Sequence, residues 1–454
     1  MKSVDLKDIA AWADGALIQG VPSCSVNAIS TDSRKVGEGN VFLALKGDNF
    51  DGHDFVASVQ EKGAAAVVVS ALPVDTEKFD GGIVRVKDAL VALQGVARNF
   101  RKTFDDLFVV GVTGSNGKTS TKDFLNAVLS TSGEVNCTAG NLNNHIGLPL
   151  TILETDKTHR YGVWEMGMNH PGEIEVLAEI ASPDAAVITN VGTAHIEHMG
   201  TREAIALEKS EIAMAVPDSG FCVMPAADDY FSYVKDRVRC RMVSVGIDCG
   251  DVQAQNLKTD VDGRVTFDLC SDGVCQPVSL PVRGRHMTVN ALLAAAVGLE
   301  QGIEPAAIAK ALEGVVLTSG RLQERKVNGV TILDDSYNAN PDSMRAGLDT
   351  LKGSEVAGRR VAVLGFMGEL GEHESQAYLN LGATAAELGL DAVITVGDRA
   401  ARINETTSGV QVSKNFDTHE EAAAFLEGFL TPEDLVLVKG SRAAAMERVI
   451  SALQ

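Results

Sequence analysis

The run LFVVGVTGSNGKTSTK, Leu107 to Lys122, constrains the fold more than any other stretch, because an apolar strand ends there in a glycine-rich loop and a Lys-Thr pair opens a helix. Leu107, Phe108, Val109 and Val110 have the composition of a strand buried on both faces, and Ser120 to Thr131 can form the helix that follows. Gly114 and Gly117 let the intervening backbone turn tightly, so that successive N–H groups and the helix N-terminus face an anion. Gly114, Ser115, Asn116, Gly117, Lys118, Thr119 and Ser120 therefore read as a P-loop, a cradle for nucleotide phosphates. Lys118 would reach the β- and γ-phosphate oxygens, and the Thr119 hydroxyl would sit on a bridging Mg²⁺. The pattern asks for glycine at Val112, whereas the glycine present is Gly111, one residue earlier. An ordinary strand-turn-helix corner with two glycines is the structural alternative.

At 454 residues the chain should hold two to four domains, since one core rarely grows past about 250–300 residues. Its 40 basic and 61 acidic residues give a net charge of −21, which argues against nucleic acid or an anionic membrane as partner. The seven cysteines are scattered, odd in number and form no Cys-x-x-Cys pair, so a reduced cytoplasm without structural zinc is expected. MKSVDLKDIAAWADG looks like a capped amphipathic helix rather than a signal peptide, and no apolar run approaches about 20 residues. A soluble, cytoplasmic protein with no membrane partner follows, and a monomer is expected.

The alternation of strands and helices predicts an α/β chain of three domains. Residues 1–86 form a small α/β N-terminal domain, with strands at Val41–Leu45, Ala65–Val69 and Ile83–Val86. Ser30-Thr31-Asp32-Ser33-Arg34 and the glycines after it are candidate ligand loops, although turn chemistry explains them as well. Residues 87–314 form a central P-loop domain around a largely parallel sheet, with an antiparallel hairpin extension over 251–282. Residues 315–454 form a C-terminal Rossmann-like, doubly wound domain with strands at Val330–Leu333, Arg360–Leu364, Ala392–Val396 and Leu435–Val438. Its strand ends carry DDSYNANP (334–341), GFMGE (365–369), GD (397–398) and KGSR (439–442), the polar edge where such sheets bind ligands.

A bound nucleotide needs metal ligands beyond Thr119. Glu165 ends the apolar strand GVWE, where a buried carboxylate must find a metal or a cation, and His195 follows Thr189-Asn190 at the same expected sheet edge. With His198 beside it, simple exposure explains His195 equally well. Arg321 and Asp335 stand where the third domain begins, and Asn290 stands near the end of the second. An aspartate suits ribose hydroxyls, an arginine a phosphate and an asparagine adenine, but helix capping and surface ion pairs account for them as readily on spacing alone.

Together, TGSNGKTSTK (113–122), TAGNLNNHIGLP (138–149), EMGMN (165–169), TNVGTAHIEHMG (189–200), DDSYNANPDSM (334–344) and KGSRAAAMERV (439–449) resemble the Mur ligase family of cell-wall synthesis. The resemblance covers the whole chain. The NNHIGLP and SYNANPDSM stretches above all resemble its dipeptide-adding branch, and the amino-acid motif of the tripeptide-making sister is not found.

The resemblance implies ATP, Mg²⁺ and two small-molecule substrates, UDP-N-acetylmuramoyl-tripeptide and D-alanyl-D-alanine. By position, Lys118 and Thr119 would hold phosphates and Mg²⁺, and Glu165 and His195 would hold metal. Lys209 matches a family lysine that CO₂ carbamylates, turning an ammonium into an anionic oxygen ligand. Asn290, Arg321 and Asp335 would contact adenine, phosphate and ribose. Ser33 and Arg34 would belong to the UDP site, Asn141, Asn143 and Asn144 to the approach of the substrate, and Asn338 and Asn340 to the incoming dipeptide. An acidic residue is expected where Phe366 stands, which leaves the role of the 366–369 loop open. The rivals are a sister ligase adding a single amino acid and a P-loop regulatory ATPase.

Overall fold

A computed structural model describes residues 3–47, 49–72 and 79–454. The chain divides into two compact units, one made of Met1–Gly111, Gly133–Gly167 and Gly172–Ala185, the other of Val112–Ser132, Met168–Pro171 and Ala186–Gln454.

In the first unit the expected N-terminal helix runs Leu6–Trp12, while Met1 and Lys2 lie outside the described residues. Strands Ala16–Gln19, Gly82–Arg85, Ala66–Val69, Asn40–Leu43 and Ala28–Ser30 form one sheet in that order. All its pairings are parallel except that of the Ala16–Gln19 edge strand. Phe42, Val56, Val59, Val67, Val69 and Ile83 pack as its core, which is why those strands read as near-continuous apolar runs. The helix Ala89–Arg101 starts where Asp88 Oδ1 accepts the Val91 N–H at 2.9 Å. Strand Glu134–Cys137 pairs parallel with His159–Glu165, and the buried Trp164 indole N–H donates to Asn136 Oδ1 at 2.7 Å across that pair.

In the second unit, strands Ala185–Ile188, Phe221–Pro225, Arg241–Ile247, Val252–Thr259, Arg264–Ser271 and Val274–Arg283 lie side by side. The pairings from Phe221–Pro225 to Val252–Thr259 are parallel and the last two antiparallel, as the turn residues Asp262-Gly263 and Asp272-Gly273 predicted. The second of these hairpins corrects the cysteine reading. Cys270 and Cys275 are register partners across the turn and form a disulfide, leaving five free cysteines among the described residues. A search for Cys-x-x-Cys spacing misses such a pair, because only the hairpin register sets those two side chains opposite one another.

The same unit ends in a six-stranded sheet ordered Gln323–Val327, Val330–Asp335, Leu435–Lys439, Arg360–Leu364, Ala392–Val396 and Val412–Phe416. It is parallel apart from the first pairing. Its four inner strands are the four expected. The two edge strands, QERKV and VSKNF, escape sequence reading because their mostly exposed, largely polar residues show no apolar run. Among the described residues no helix is long and apolar enough to cross a membrane.

Candidate active site

The strand Phe108–Thr113 hands over to helix Lys118–Leu129 through a loop whose shape depends on its glycines. Gly117 sits at φ +80°, left-handed backbone that favours glycine, and a Cβ there would come within 2.7 Å of Asn290 Oδ1. A Cβ on Gly114, at φ +151°, would run into the Thr189 hydroxyl. The loop is clamped from the 189–192 segment. Asn190 Oδ1 accepts from the Asn116 N–H at 3.0 Å, its Nδ2 donates to Asn116 O at 3.0 Å, and Ser115 Oγ accepts from the Gly192 N–H at 2.9 Å. Lys118 folds back so that Nζ donates to Gly114 O at 2.6 Å, which places an ammonium over the loop that would hold phosphates.

This loop lines a cavity of about 940 Å³ within the second unit. The cavity also takes in His195, Asn290, Arg321, Asp335, Asn338 and Asn340, so the fold gathers most of the expected nucleotide residues on one space. Arg321 lies over the Tyr337 ring at 4.3 Å, and its Nη2 stands 3.4 Å from the Thr119 hydroxyl. Asp335 ends one strand directly beside Lys439 on the next. Lys439 Nζ donates to Asp335 Oδ2 at 2.6 Å and to Asn338 O at 3.0 Å, while burial pulls its pKa below the ordinary lysine value.

His195 Nδ1 stands 2.5 Å from Glu369 Oε2. Burial pushes the imidazole pKa down and the Glu369 contact only partly offsets that, whereas the His195 hydrogen bond holds the Glu369 carboxyl below its usual range. Lys209, in helix Arg202–Met214, is almost wholly buried, and burial followed by the nearby Lys118 charge pulls its pKa well below the ordinary lysine value. A buried lysine held toward its neutral amine is nucleophilic rather than a solvated surface charge.

Asn340, expected to face the dipeptide, makes two bonds within the protein. Its Oδ1 accepts the Ser343 N–H at 2.9 Å as the cap of helix Pro341–Gly353, and its Nδ2 donates to Asn116 Oδ1 at 2.8 Å. Both ends of the amide are engaged by the protein, and the Nδ2 bond ties the start of this helix to the phosphate loop. Asn338 is exposed; its Oδ1 accepts from the Ala339 N–H, while its carbonyl takes the bond from Lys439.

The remaining expected residues lie in the first unit. Glu165 is buried at its strand end, with Asn143 Nδ2 3.5 Å from Oε2. Asn144 Oδ1 accepts the N–H groups of Ile146 and Gly147 at the start of helix Gly147–Leu153, and Asn141 O accepts the Asn143 N–H. Arg34 forks onto Asp32 with two bonds of 2.9 Å, and these hold the Asp32 carboxyl at about 2, while Ser33 O accepts from Lys62. Among the described residues no three His, Cys, Asp or Glu side chains cluster as a metal site.

Family profiles match the chain three times. They are the Mur ligase family catalytic domain over residues 25–101, the Mur ligase middle domain over 112–298 and the Mur ligase glutamate ligase domain over 320–442. The UDP-N-acetylmuramoyl-tripeptide--D-alanyl-D-alanine ligase of Bacillus subtilis is 35% identical over 455 residues, 99% of this chain and 98% of that one. The chain belongs to the Mur ligase family. The crystal structure of MurF from Acinetobacter baumannii superposes on this Mur ligase with TM-score 0.92 at 34% identity, covering 100% of this chain and 99% of that one. A MurF ligase from Thermotoga maritima, solved in complex with ADP, gives TM-score 0.84 at 31% identity over 94% and 96% of the two chains.

Several residues of this Mur ligase site escaped sequence reading. Glu369, Lys439 and Asp342 sit in strand-end or helix-start motifs that were visible, but their partners are distant in sequence. Asp342 Oδ2 accepts from the Thr193 N–H at 2.9 Å and its hydroxyl at 3.1 Å, across 149 positions.

Proposed function

We propose that this Mur ligase joins D-alanyl-D-alanine to UDP-N-acetylmuramoyl-tripeptide at the expense of ATP, in the cytoplasm and as a monomer. The observation that carries the reading is full-length likeness to relatives bearing that name, combined with a phosphate cradle whose Lys118, Thr119 and Arg321 face one cavity. In the first step a terminal carboxylate oxygen attacks the γ-phosphorus, the bond to the β–γ bridging oxygen breaks and ADP leaves. The amine nitrogen of the dipeptide then attacks the acyl carbon, the carbon–oxygen bond to phosphate breaks, and the amine gives up a proton. Phosphorylation is needed because a carboxylate oxygen is a poor leaving group. Positioning and charge neutralisation supply most of the rate.

Within that reading the loop from Gly114 to Ser120 binds the phosphates, Asn290 the adenine, Arg321 a phosphate and Asp335 the ribose. The Thr119 hydroxyl, on the first turn of the cradle helix, fits the oxygen-rich shell that Mg²⁺ prefers. His195, with its Nδ1 against Glu369, is a candidate metal donor in the second unit, where Lys209 would be another if carbamylated, and Glu165 is a candidate donor in the first unit. When bound, Mg²⁺ neutralises charge on the β- and γ-phosphates. Ser33, Arg34, Asn141, Asn143 and Asn144 serve the nucleotide precursor, and Asn338 faces the dipeptide. The domains are taken as 1–86, 87–314 and 315–454.

The test is phosphate release from ATP and Mg²⁺ with UDP-N-acetylmuramoyl-tripeptide, adding D-alanyl-D-alanine, single amino acids or nothing, with product mass followed. Release that requires the dipeptide, with a product heavier by that dipeptide, is expected. Release with a single amino acid would make this a sister ligase, and release without any amine or heavier product would make it a regulatory ATPase.

A further inference from the structure

Arg321 reaches the cavity from the segment 318–322, which has neither helix nor strand of its own and is placed only by what it touches. Its backbone is left-handed on both sides of the arginine, at φ +74° for Gly320 and +51° for Leu322. One set of bonds ties it to the six-stranded sheet: the Tyr337 N–H donates to Gly320 O at 3.3 Å, and the Leu322 N–H donates to Asp335 Oδ1 at 3.3 Å. A second set ties it to the cradle helix Lys118–Leu129. Asp123 Oδ2 accepts the Thr318 N–H at 2.7 Å and Oδ1 accepts the Thr318 hydroxyl at 3.2 Å, across 195 positions. Asp123 follows Thr119 by one helical turn, so the two share a face of that helix. The segment thus meets this face twice, with Thr318 at Asp123 and Arg321 at Thr119.

The two meeting points are unequal. The Asp123 side chain is 12% exposed and stands 3.0 Å from Lys122 Nζ, on a side chain 7% exposed. A carboxylate so far withdrawn from water needs partners, and the ammonium and Thr318 supply them. Bonds accepted by a carboxylate are stronger than neutral ones, so the Thr318 end is the firm anchor. Arg321 is left incomplete. Its Nε is buried with no hydrogen-bond partner among the described residues, and its Nη2 contact with Thr119 is long at 3.4 Å. A buried guanidinium N–H without an acceptor costs free energy until an anion supplies one. The Tyr337 ring and the two ends of the segment, rather than strong bonds of its own, therefore decide where this cation lies.

Resting on the reading that puts Arg321 on a nucleotide phosphate, we propose that Asp123 is a positioning residue for ATP: by holding Thr318 it sets the segment on the cradle helix and so places the Arg321 guanidinium beside the phosphate loop. Three residue steps separate Thr318 from Arg321, a reach of about 10 Å when extended. Freed at Thr318, the segment can shift by more than the roughly 1 Å that is enough to spoil a positioned contact. Asp123 itself touches no nucleotide in this account and acts through Arg321 alone.

The experiment is calorimetric binding of the β,γ-imido analogue of ATP, with Mg²⁺, to the full chain. Wild type is compared with Asp123→Ala, Thr318→Val, Thr318→Ser, Arg321→Ala and the double variant Asp123→Ala with Arg321→Ala, and the unfolding midpoint of each is recorded. Asp123→Ala is expected to weaken binding by about 10-fold to 100-fold, the span of a charge-assisted hydrogen bond, and by no more than Arg321→Ala does. The double variant should bind within about 2-fold of Arg321→Ala, because an anchor has nothing to position once the guanidinium is gone. Thr318→Val keeps the N–H and loses the hydroxyl, so it should weaken binding by about 3-fold to 10-fold, and Thr318→Ser should restore it. Asp123→Ala with wild-type affinity, or a loss of equal size with and without Arg321, overturns the positioning role. If Asp123→Ala does not fold, Thr318→Val decides, and wild-type affinity there overturns the role equally. A wild type that does not bind the analogue overturns the nucleotide reading and this inference with it, whereas failure of the variants alone leaves the nucleotide reading standing.

Discussion

His195 and Glu369 meet at 2.5 Å although each holds left-handed backbone, at φ +66° and +59°, a conformation uncommon for residues with a Cβ. Two strained loops from different sheets are thus spent on aiming one imidazole. With Nδ1 at ion-pair distance from the carboxylate, Nε2 is the nitrogen farther from it and open to a ligand, as where carboxylates orient metal-binding histidines. Glu369→Gln should fold normally yet need about 10-fold to 100-fold more Mg²⁺ for half-maximal activity. Titrating activity against Mg²⁺ at saturating ATP checks this, and an unchanged Mg²⁺ requirement would count against the positioning role.

Lys118→Ala removes an ammonium that lies over the phosphate loop. Turnover should fall by at least about 10²-fold to 10³-fold, the cost of losing one preorganised charge at a developing phosphoryl centre. Thermal unfolding should barely change, because the side chain is only half-buried. Near-normal turnover by the folded variant would refute the cradle assignment.

Asn340→Asp separates capping from loop positioning. An aspartate caps the helix as well as an asparagine, so stability should stay within about 0.5 kcal/mol of wild type. The donor to Asn116 Oδ1 is lost and a carboxylate faces the loop instead. KM for ATP should rise about 5-fold to 10-fold, on the scale of one hydrogen bond. Equal ATP affinity in the variant would show that the bond does not shape the loop.

Asp434 gives a pH-dependent stability term away from the cavity. Burial pushes its carboxyl up, but the Arg359 side-chain and backbone bonds and the Thr431 N–H outweigh burial and hold it below the usual range. A carboxyl with a depressed folded-state pKa stabilises above its unfolded value, about 3.9, and loses that contribution as pH falls through the folded value. Asp434→Asn should therefore cost about 1–3 kcal/mol at pH 7, and the gap between variant and wild type should close as pH drops below about 4. Unfolding midpoints from pH 7 to pH 3 test the sign, and a gap that widens toward acid would contradict it.

The residues that sequence alone determined are those whose physics is local. The inner strands Arg360–Leu364 and Ala392–Val396 are buried on both faces, so their runs of apolar residues mark them without knowledge of their neighbours. The loop from Gly114 to Ser120 is equally legible, because its glycines, its lysine and the helix it opens are contiguous. Tertiary structure decided whatever depends on a partner far away in the chain. The edge strands Gln323–Val327 and Val412–Phe416 carry charged side chains and become strands only by pairing with a neighbour. The bond from Asn340 Nδ2 to Asn116, 224 positions away, is invisible to any local reading of the sequence. His195, Lys209 and Lys439 are ordinary polar residues in sequence, and it is burial beside specific charges that changes their chemistry. Burial and long-range pairing are properties of the packed chain, and no short window of sequence contains them.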